Sequence, residues 1–393
     1  MTASKHISVY IHIPFCSKRC GYCDFTTYAG KDSLIPAYVD ALCDEIKIIT
    51  DLVDEKRIAK TIYFGGGTPS LLTIDQYEKI FSILNNCFNI KKDSEITLEA
   101  NPGSVSSDYL IGLKNLGFNR LSLGAQSTND EELKFLGRIH DKEGIFNSVK
   151  AARVAEFNNL NLDLIFGLPD HVMSNWKRSL LDVASLEVEH ISLYSLTIEK
   201  GTSFGTLAEK GLMKLPDPDL AAEMYEWSSN ELDKLGFQQY EISNWARGDY
   251  TCKHNLQYWH NLPYLGFGVG AHGMAGSKRV SNALRINDYM NRINLAEPWD
   301  RGVFPISPAT VSIKTINKHT SMQEMLMLGL RLTSEGVSAH SFRDRYGEQL
   351  IDIFGNEISN LLELKLIEWV GDSIRLTKHG CLLGNQVFMR FVD

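Results

Sequence analysis

The sequence predicts an α/β protein: a partial, TIM-like (β/α)6 barrel followed by a small, mainly helical, winged-helix-like module. Three observations carry that expectation. Short apolar runs alternate about six times with stretches of helical spacing as far as Leu235, a pattern that specifies a parallel sheet with helices outside. Six such units are fewer than a closed eight-fold barrel needs. Beyond Leu235 the rhythm stops, and Met322–Asp393 reads as helical with a late hairpin.

In chain order, the strands expected are Ile7–Pro14, Thr61–Gly66, Glu95–Asn101, Arg120–Gln126, Asn161–Gly167 and His190–Glu199, each rich in Ile, Leu, Val, Tyr or Phe. Between them lie the helical stretches. Ile35–Val53 carries an apolar stripe of Ala41, Leu42, Ile46, Ile49 and Val53. Asp75–Phe88, Ser107–Leu116, Lys142–Glu156, Ser174–Leu186 and Pro218–Leu235 follow. Thr73, Ser107 and Asp217 stand where helix caps belong. Gly236–Ser281 is rich in aromatics, Asn and Gly, and Pro298–Thr315 reads as a linker. Leu361–Val370, the Gly371-Asp372 turn and Ile374–Leu376 read as strand, turn, strand. The expected partition is a barrel over 1–240, an extension over 241–305 and a C-terminal domain over 306–393.

Composition narrows the function classes. With 44% hydrophobic and 22% charged residues the chain is not disordered. A net charge of −8 argues against a nucleic-acid binder, which needs a basic face to displace counterions. Met1–Ile7 is polar, so no signal peptide is expected. No run approaches the ~18 uncharged apolar residues of a membrane span. The expected compartment is the cytoplasm, where clustered cysteines serve metals or catalysis rather than disulfides.

Cys16, Cys20 and Cys23 form a C-x3-C-x2-C run just after the first strand. Three soft thiolates on one tight loop suit three irons of a cubane and leave the fourth iron open. A structural zinc would want a closed set of four ligands. Cys43, Cys87 and Cys381 read as packing residues.

This run, with Tyr22 before its last cysteine, resembles the radical S-adenosylmethionine (SAM) superfamily. The resemblance implies a 4Fe–4S cluster on Cys16, Cys20 and Cys23, whose open iron chelates SAM and whose reduction cleaves it to a 5′-deoxyadenosyl radical. Other strand ends agree, because barrel sites collect residues from the C-terminal ends of several strands. Gly65-Gly66-Gly67-Thr68-Pro69 follows the second strand and resembles the superfamily's element for the SAM amino group. Glu99, Gln126 and Asp163 lie at or near the ends of the third, fourth and fifth strands, Arg138 shortly after the fourth, and Tyr10 and His12 before the cluster. Together they resemble the oxygen-independent coproporphyrinogen III oxidases and their relatives. That likeness implies Arg138 on the SAM carboxylate, Gln126 and Asp163 on the ribose, Glu99 on the amino or ribose groups, with Gly66, Gly67 and Thr68 beside it and Tyr10 supporting the methionyl end.

Two later motifs need separate treatment. Gly268-x-Gly270-x-x-Gly273 matches a dinucleotide fingerprint, but no long helix is expected after it, so that reading is rejected. His254-Asn255-Leu256-Gln257-Tyr258-Trp259, followed by Gly270-Ala271-His272-Gly273, is similar to the haem-chaperone branch of the same family. The similarity implies that His254 holds haem; on residues alone, a satisfied structural histidine is the commoner state of such a side chain. Cys252 is either a second ligand or a packing residue.

Departures from the oxidase pattern point the same way. The oxidases carry a fourth cysteine two residues after the third, where this chain has Phe25, and a long extension before the run that begins here at Tyr10. The expectation is a haem chaperone that binds a 4Fe–4S cluster, SAM and haem and delivers haem to recipient haem proteins, membrane cytochromes among them. It would be cytoplasmic or peripheral at the inner face of the membrane, and a homodimer is left open. The alternative is an oxidase converting the propionates of coproporphyrinogen III to vinyls. A tRNA-modifying radical SAM enzyme is a third reading, which the net charge of −8 opposes.

Overall fold

The computed structural model describes residues 5–296 and 303–392. In chain order its strands are β1 (His6–Ile13), β2 (Phe15–Cys16), β3 (Tyr28–Ala29), β4 (Ile58–Gly66), β5 (Asn89–Ala100), β6 (Arg120–Gln126), β7 (Leu160–Phe166), β8 (His190–Ser195), β9 (Gln238–Glu241), β10 (Asn244–Ala246), β11 (Tyr264–Phe267), β12 (His272–Ala275), β13 (Lys278–Asn282), β14 (Thr310–Thr315), β15 (Val337–Ser338), β16 (Ile367–Val370) and β17 (Ser373–Leu376). The chain groups into two compact units, Met1–Glu231 with Pro263–Lys314, and Leu232–Leu262 with Thr315–Asp393.

In the first unit the six expected strands are β1, β4, β5, β6, β7 and β8, adjacent in that order and parallel throughout. They are buried on both faces, as parallel strands under covering helices must be, so their side chains read as near-continuous apolar runs. Polar residues interrupt them at positions such as Asp163, the single less-buried residue of β7. The covering helices follow the predicted stripes. Ala41, Leu42, Ile46 and Ile49 are all buried, although the helix Ile35–Thr50 stops short of Val53. Thr73 caps the helix Ile74–Cys87 in a reciprocal box with Gln76. At the next helix the cap is Ser106 rather than Ser107: its hydroxyl accepts from the Tyr109 amide. Asp217 accepts from the amides of Asp219 and Leu220, as its position suggested.

The sheet continues on the other side of β1 through β11, which is parallel to it, then antiparallel through β12 and β13, with β14 at the edge beside β13. Sequence reasoning missed these strands. They are short, β11 and β12 are interrupted by glycine, and β14 lies in the stretch read as a linker; Pro298 to Gly302 lie outside the described residues. No helix follows Gly268-x-Gly270-x-x-Gly273. Gly268 and Gly270 lie in a tight turn between β11 and β12 and Gly273 lies in β12; Gly268 is at φ +100° with its backbone against the Tyr38 hydroxyl.

The second unit has its own core of Leu326, Leu330, Phe342, Leu350, Ile358 and Ile374 among others. The helices Lys318–Gly329, Ala339–Tyr346 and Leu350–Glu363 pack there with an antiparallel sheet in the order β15-β17-β16. This is a winged-helix-like arrangement. Leu361 to Glu363 belong to the helix, not to the strand expected from Leu361 onward, because Leu361 faces this core at helical spacing from Ile358 and Phe354. The grouping also differs from three consecutive segments. Leu232–Leu262 joins the C-terminal unit and Pro263–Lys314 returns to the barrel.

Candidate cofactor site

The cluster loop is pinned by backbone pairing. β2 and β3 align Phe15 with Tyr28 and Cys16 with Ala29. The loop that follows β4 closes on the same segment: the Gly67 amide donates to the Ile13 carbonyl at 2.8 Å and the Thr68 amide to the Phe15 carbonyl at 2.7 Å. Only glycine fits at Gly67, because a Cβ there would stand 2.5 Å from the Phe15 carbonyl oxygen and 3.0 Å from Cys16 Sγ. Gly21 is similarly pressed against the Phe204 ring. Arg19 donates to the carbonyls of Cys23 and Phe25 and draws the loop in.

Around this loop a cavity of about 450 Å³ opens at the C-terminal ends of β4 to β8. It is lined by Cys16, Cys20, Cys23, Gly66, Gly67, Thr68, Glu99, Gln126, Arg138 and Asp163, which are far apart in sequence. Cys16 is buried, while Cys20 and Cys23 are partly open. Among the described residues no three His, Cys, Asp or Glu side chains converge on a single ion. A cubane offers each thiolate its own iron, so its cysteines need not converge.

The polar groups of the cavity are held in set orientations. Arg138 donates to the Gly124 carbonyl at 2.9 Å and to Asn101 Oδ1, and its Nη1 lies 3.5 Å from Cys20 Sγ. Asn101 donates in turn to Thr68 Oγ1 at 2.9 Å. Glu99 accepts from Tyr63 at 2.7 Å and from the Gly66 amide at 3.1 Å. Burial nonetheless pushes its carboxyl up to about 7, with Asp163 nearby adding repulsion. Asp163 is also raised by burial, opposed by hydrogen bonds from Asn161 and Ser122, by the nearby Ser192 hydroxyl and by the charge of Arg120. Gln126 is the informative outlier. It is a non-glycine residue at φ +67°, and its buried Oε1 has no hydrogen-bond partner. Strain and an unsatisfied acceptor at one residue are expected where a ligand supplies the missing donor.

Tyr10 is not among the lining residues. Its hydroxyl lies 3.0 Å from His12 Nδ1, and its ring stacks on Tyr63 at 6.2 Å, one residue removed from Glu99. Sequence reasoning passed over Asn101, Gly124 and the end of β8, where Tyr194 to Glu199 line the cavity. The rule that barrel sites gather at strand ends would have marked that last segment. Phe25 sits at the rim, 65% exposed.

His254 lies in the second unit, on the helix Lys253–Trp259. It is 1% exposed, with Nε2 2.8 Å from the Tyr258 hydroxyl and the two rings edge-on. Cys252 is buried as well, and its amide donates to the Tyr240 hydroxyl at 3.1 Å.

Residues 10–183 match the radical SAM superfamily and residues 316–383 match the HemN C-terminal domain. The chain is 39% identical over 386 residues to the heme chaperone HemW of Bacillus subtilis, covering 98% of this chain and 99% of that protein. The chain belongs to the HemW family of radical SAM proteins. It is 34% identical over 388 residues to HemW of Lactococcus lactis, covering 99% of this chain and 98% of that protein. It is 35% identical over 372 residues to the mouse mitochondrial radical S-adenosyl methionine domain-containing protein 1, covering 93% and 83% of the two. In fold it is similar to coproporphyrinogen III oxidase (HemN) from Escherichia coli, with a TM-score of 0.84, 24% identity and coverage of 99% of this chain and 91% of that one. The superfamily implies a 4Fe–4S cluster and SAM, and an unsatisfied acceptor beside three loop cysteines suits that pair of groups.

Proposed function

We propose that this chain is a haem chaperone. It holds a 4Fe–4S cluster on Cys16, Cys20 and Cys23, binds SAM in the adjoining cavity, binds haem through a site that includes His254, and passes haem to recipient haem proteins. The observation that carries the reading is near-full-length likeness to relatives named heme chaperone HemW. A cluster at this position supplies an electron and an open iron for the methionyl end of SAM. The chain's own groups do the rest. Arg138 offers a planar fork to the SAM carboxylate. Glu99 accepts from the amino group beside the Gly66 and Gly67 backbone and Thr68. Gln126 Oε1 and Asp163 accept from the ribose hydroxyls, and Tyr10 supports the floor through His12 and Tyr63.

Haem ligation through His254 Nε2 requires that nitrogen to leave the Tyr258 hydroxyl. Recipients include membrane cytochromes. Among the described residues no helix is long and apolar enough to cross a membrane. Haem titration of wild type and His254→Ala, read in the Soret band, tests the assignment. Loss of the low-spin band and a clear drop in affinity are expected; an unchanged spectrum removes His254 from the site. Separately, the reconstituted protein with SAM, reductant and coproporphyrinogen III under anaerobic conditions should form no protoporphyrinogen. Turnover there would establish the oxidase instead.

A further inference from the structure

Around Asp163, at the cavity wall, lies a polar cluster whose other members the proposed function does not use. His190, at the start of β8, is 0% exposed, and Asn161, Ser192 and Ser122 are almost as deeply buried. Asn161 Nδ2 donates to Asp163 Oδ1 at 2.8 Å and to Ser122 Oγ at 2.8 Å. Asn161 Oδ1 accepts from His190 Nδ1 at 2.6 Å and from Ser192 Oγ at 3.0 Å. Ser122 Oγ donates onward to Asp163 Oδ2 at 3.3 Å.

An amide has two donor hydrogens and one acceptor oxygen, so Asn161 here uses its full capacity. The carboxylate can only accept, which turns Nδ2 toward Asp163 and Oδ1 toward His190. His190 must then be the neutral tautomer with its proton on Nδ1, a state that burial and the nearby Arg120 charge both favour. Without that proton Asn161 Oδ1 would lose its shorter hydrogen bond, which would leave Asp163, Ser122 and Ser192 alone to hold the amide and loosen its grip on the Asp163 carboxylate.

We infer that His190 is a positioning residue for the SAM pocket: acting through Asn161, it fixes the orientation of the Asp163 carboxylate at the cavity wall. The inference rests on Asp163 contacting the SAM ribose.

The test is a double-mutant cycle on SAM affinity, measured by equilibrium dialysis with the cluster-loaded protein. Asp163→Asn and His190→Leu should each weaken binding about tenfold, the scale of one hydrogen bond to a charged group. Because both act through one carboxylate, the double variant should be no weaker than Asp163→Asn alone, rather than about a hundredfold weaker as independent sites would be. His190→Gln, which keeps a donor, should recover most of the affinity, and a 2′-deoxyribose SAM analogue should bind wild type and His190→Leu alike. If Asp163→Asn leaves affinity unchanged, the ribose contact itself fails. If Asp163→Asn weakens binding while the His190 effect is additive or absent, the positioning role is overturned. His190→Met, a flexible side chain that offers no donor, serves where His190→Leu does not fold, and it should be non-additive with Asp163→Asn in the same way.

Discussion

The strand-end cavity and the His254 segment present their polar groups in opposite states. In the cavity, side chains from five strands are fixed in place, yet Gln126 Oε1 remains without a donor and Cys20 and Cys23 stay partly open. At His254 the imidazole is buried and already engaged by Tyr258. The first region presents preset groups and one open acceptor to a ligand. In the second, Nε2 must give up its hydrogen bond before it can ligate a metal, which suits cargo that is bound and released. A resident cofactor favours preorganisation, whereas a transferred one favours a site that closes behind it.

The contrast breaks first at the cluster loop. Cys20→Ser should abolish the broad visible absorbance of the reconstituted cluster, and retention of that absorbance would refute the ligand set. Haem binding at His254 should survive this change if the two regions are separate in kind.

Glu99 sharpens the electrostatic side of the comparison. Its folded-state carboxyl is raised to about 7 from an ordinary 4.5. The stability it contributes is therefore present in full below about 4.5 and lost as pH rises through about 7. SAM binding should run the other way, tightening about tenfold as the carboxylate forms, since a charged acceptor holds an amino group better than a neutral one. Glu99→Gln should flatten both profiles. Thermal melts and SAM dialysis between pH 5 and 8, spanning those two values, would show it, and a variant with wild-type slopes would remove Glu99 from that role.

The smallest effect is expected at Tyr258. Tyr258→Phe removes the hydroxyl that engages His254, so haem should bind a few-fold more tightly, about the value of one neutral hydrogen bond. Weaker binding would mean that the tyrosine contacts haem rather than closing the site.

Legibility from sequence followed the range of the interactions. The six parallel strands were readable because each is a continuous apolar run between helices of 3.6-residue period. β11 to β14 were not, because all are short, β11 and β12 are interrupted by glycine, and the edge strand β14 is largely exposed. Leu361 to Glu363 were assigned to a strand because a short apolar run does not distinguish a strand from the end of a buried helix. The site residues at strand ends were legible as candidates, whereas the exact place of Tyr10, the bond from Asn101 to Arg138 and the His190 relay were not.

By itself the sequence determined what depends on local spacing: the three cysteines of one tight loop, the glycine that lets the Gly67 backbone approach them, the β/α rhythm and the absence of the oxidase's fourth cysteine at Phe25. Only the tertiary structure decided which distant polar groups share one pocket, that the chain leaves the barrel at Leu232 and returns at Pro263, and that His254 starts from a satisfied state. The reason is physical. Backbone preference and helical period act over a few residues, but the hydrogen bonds that set a buried carboxylate or imidazole join residues tens of positions apart, and only packing selects which of them meet.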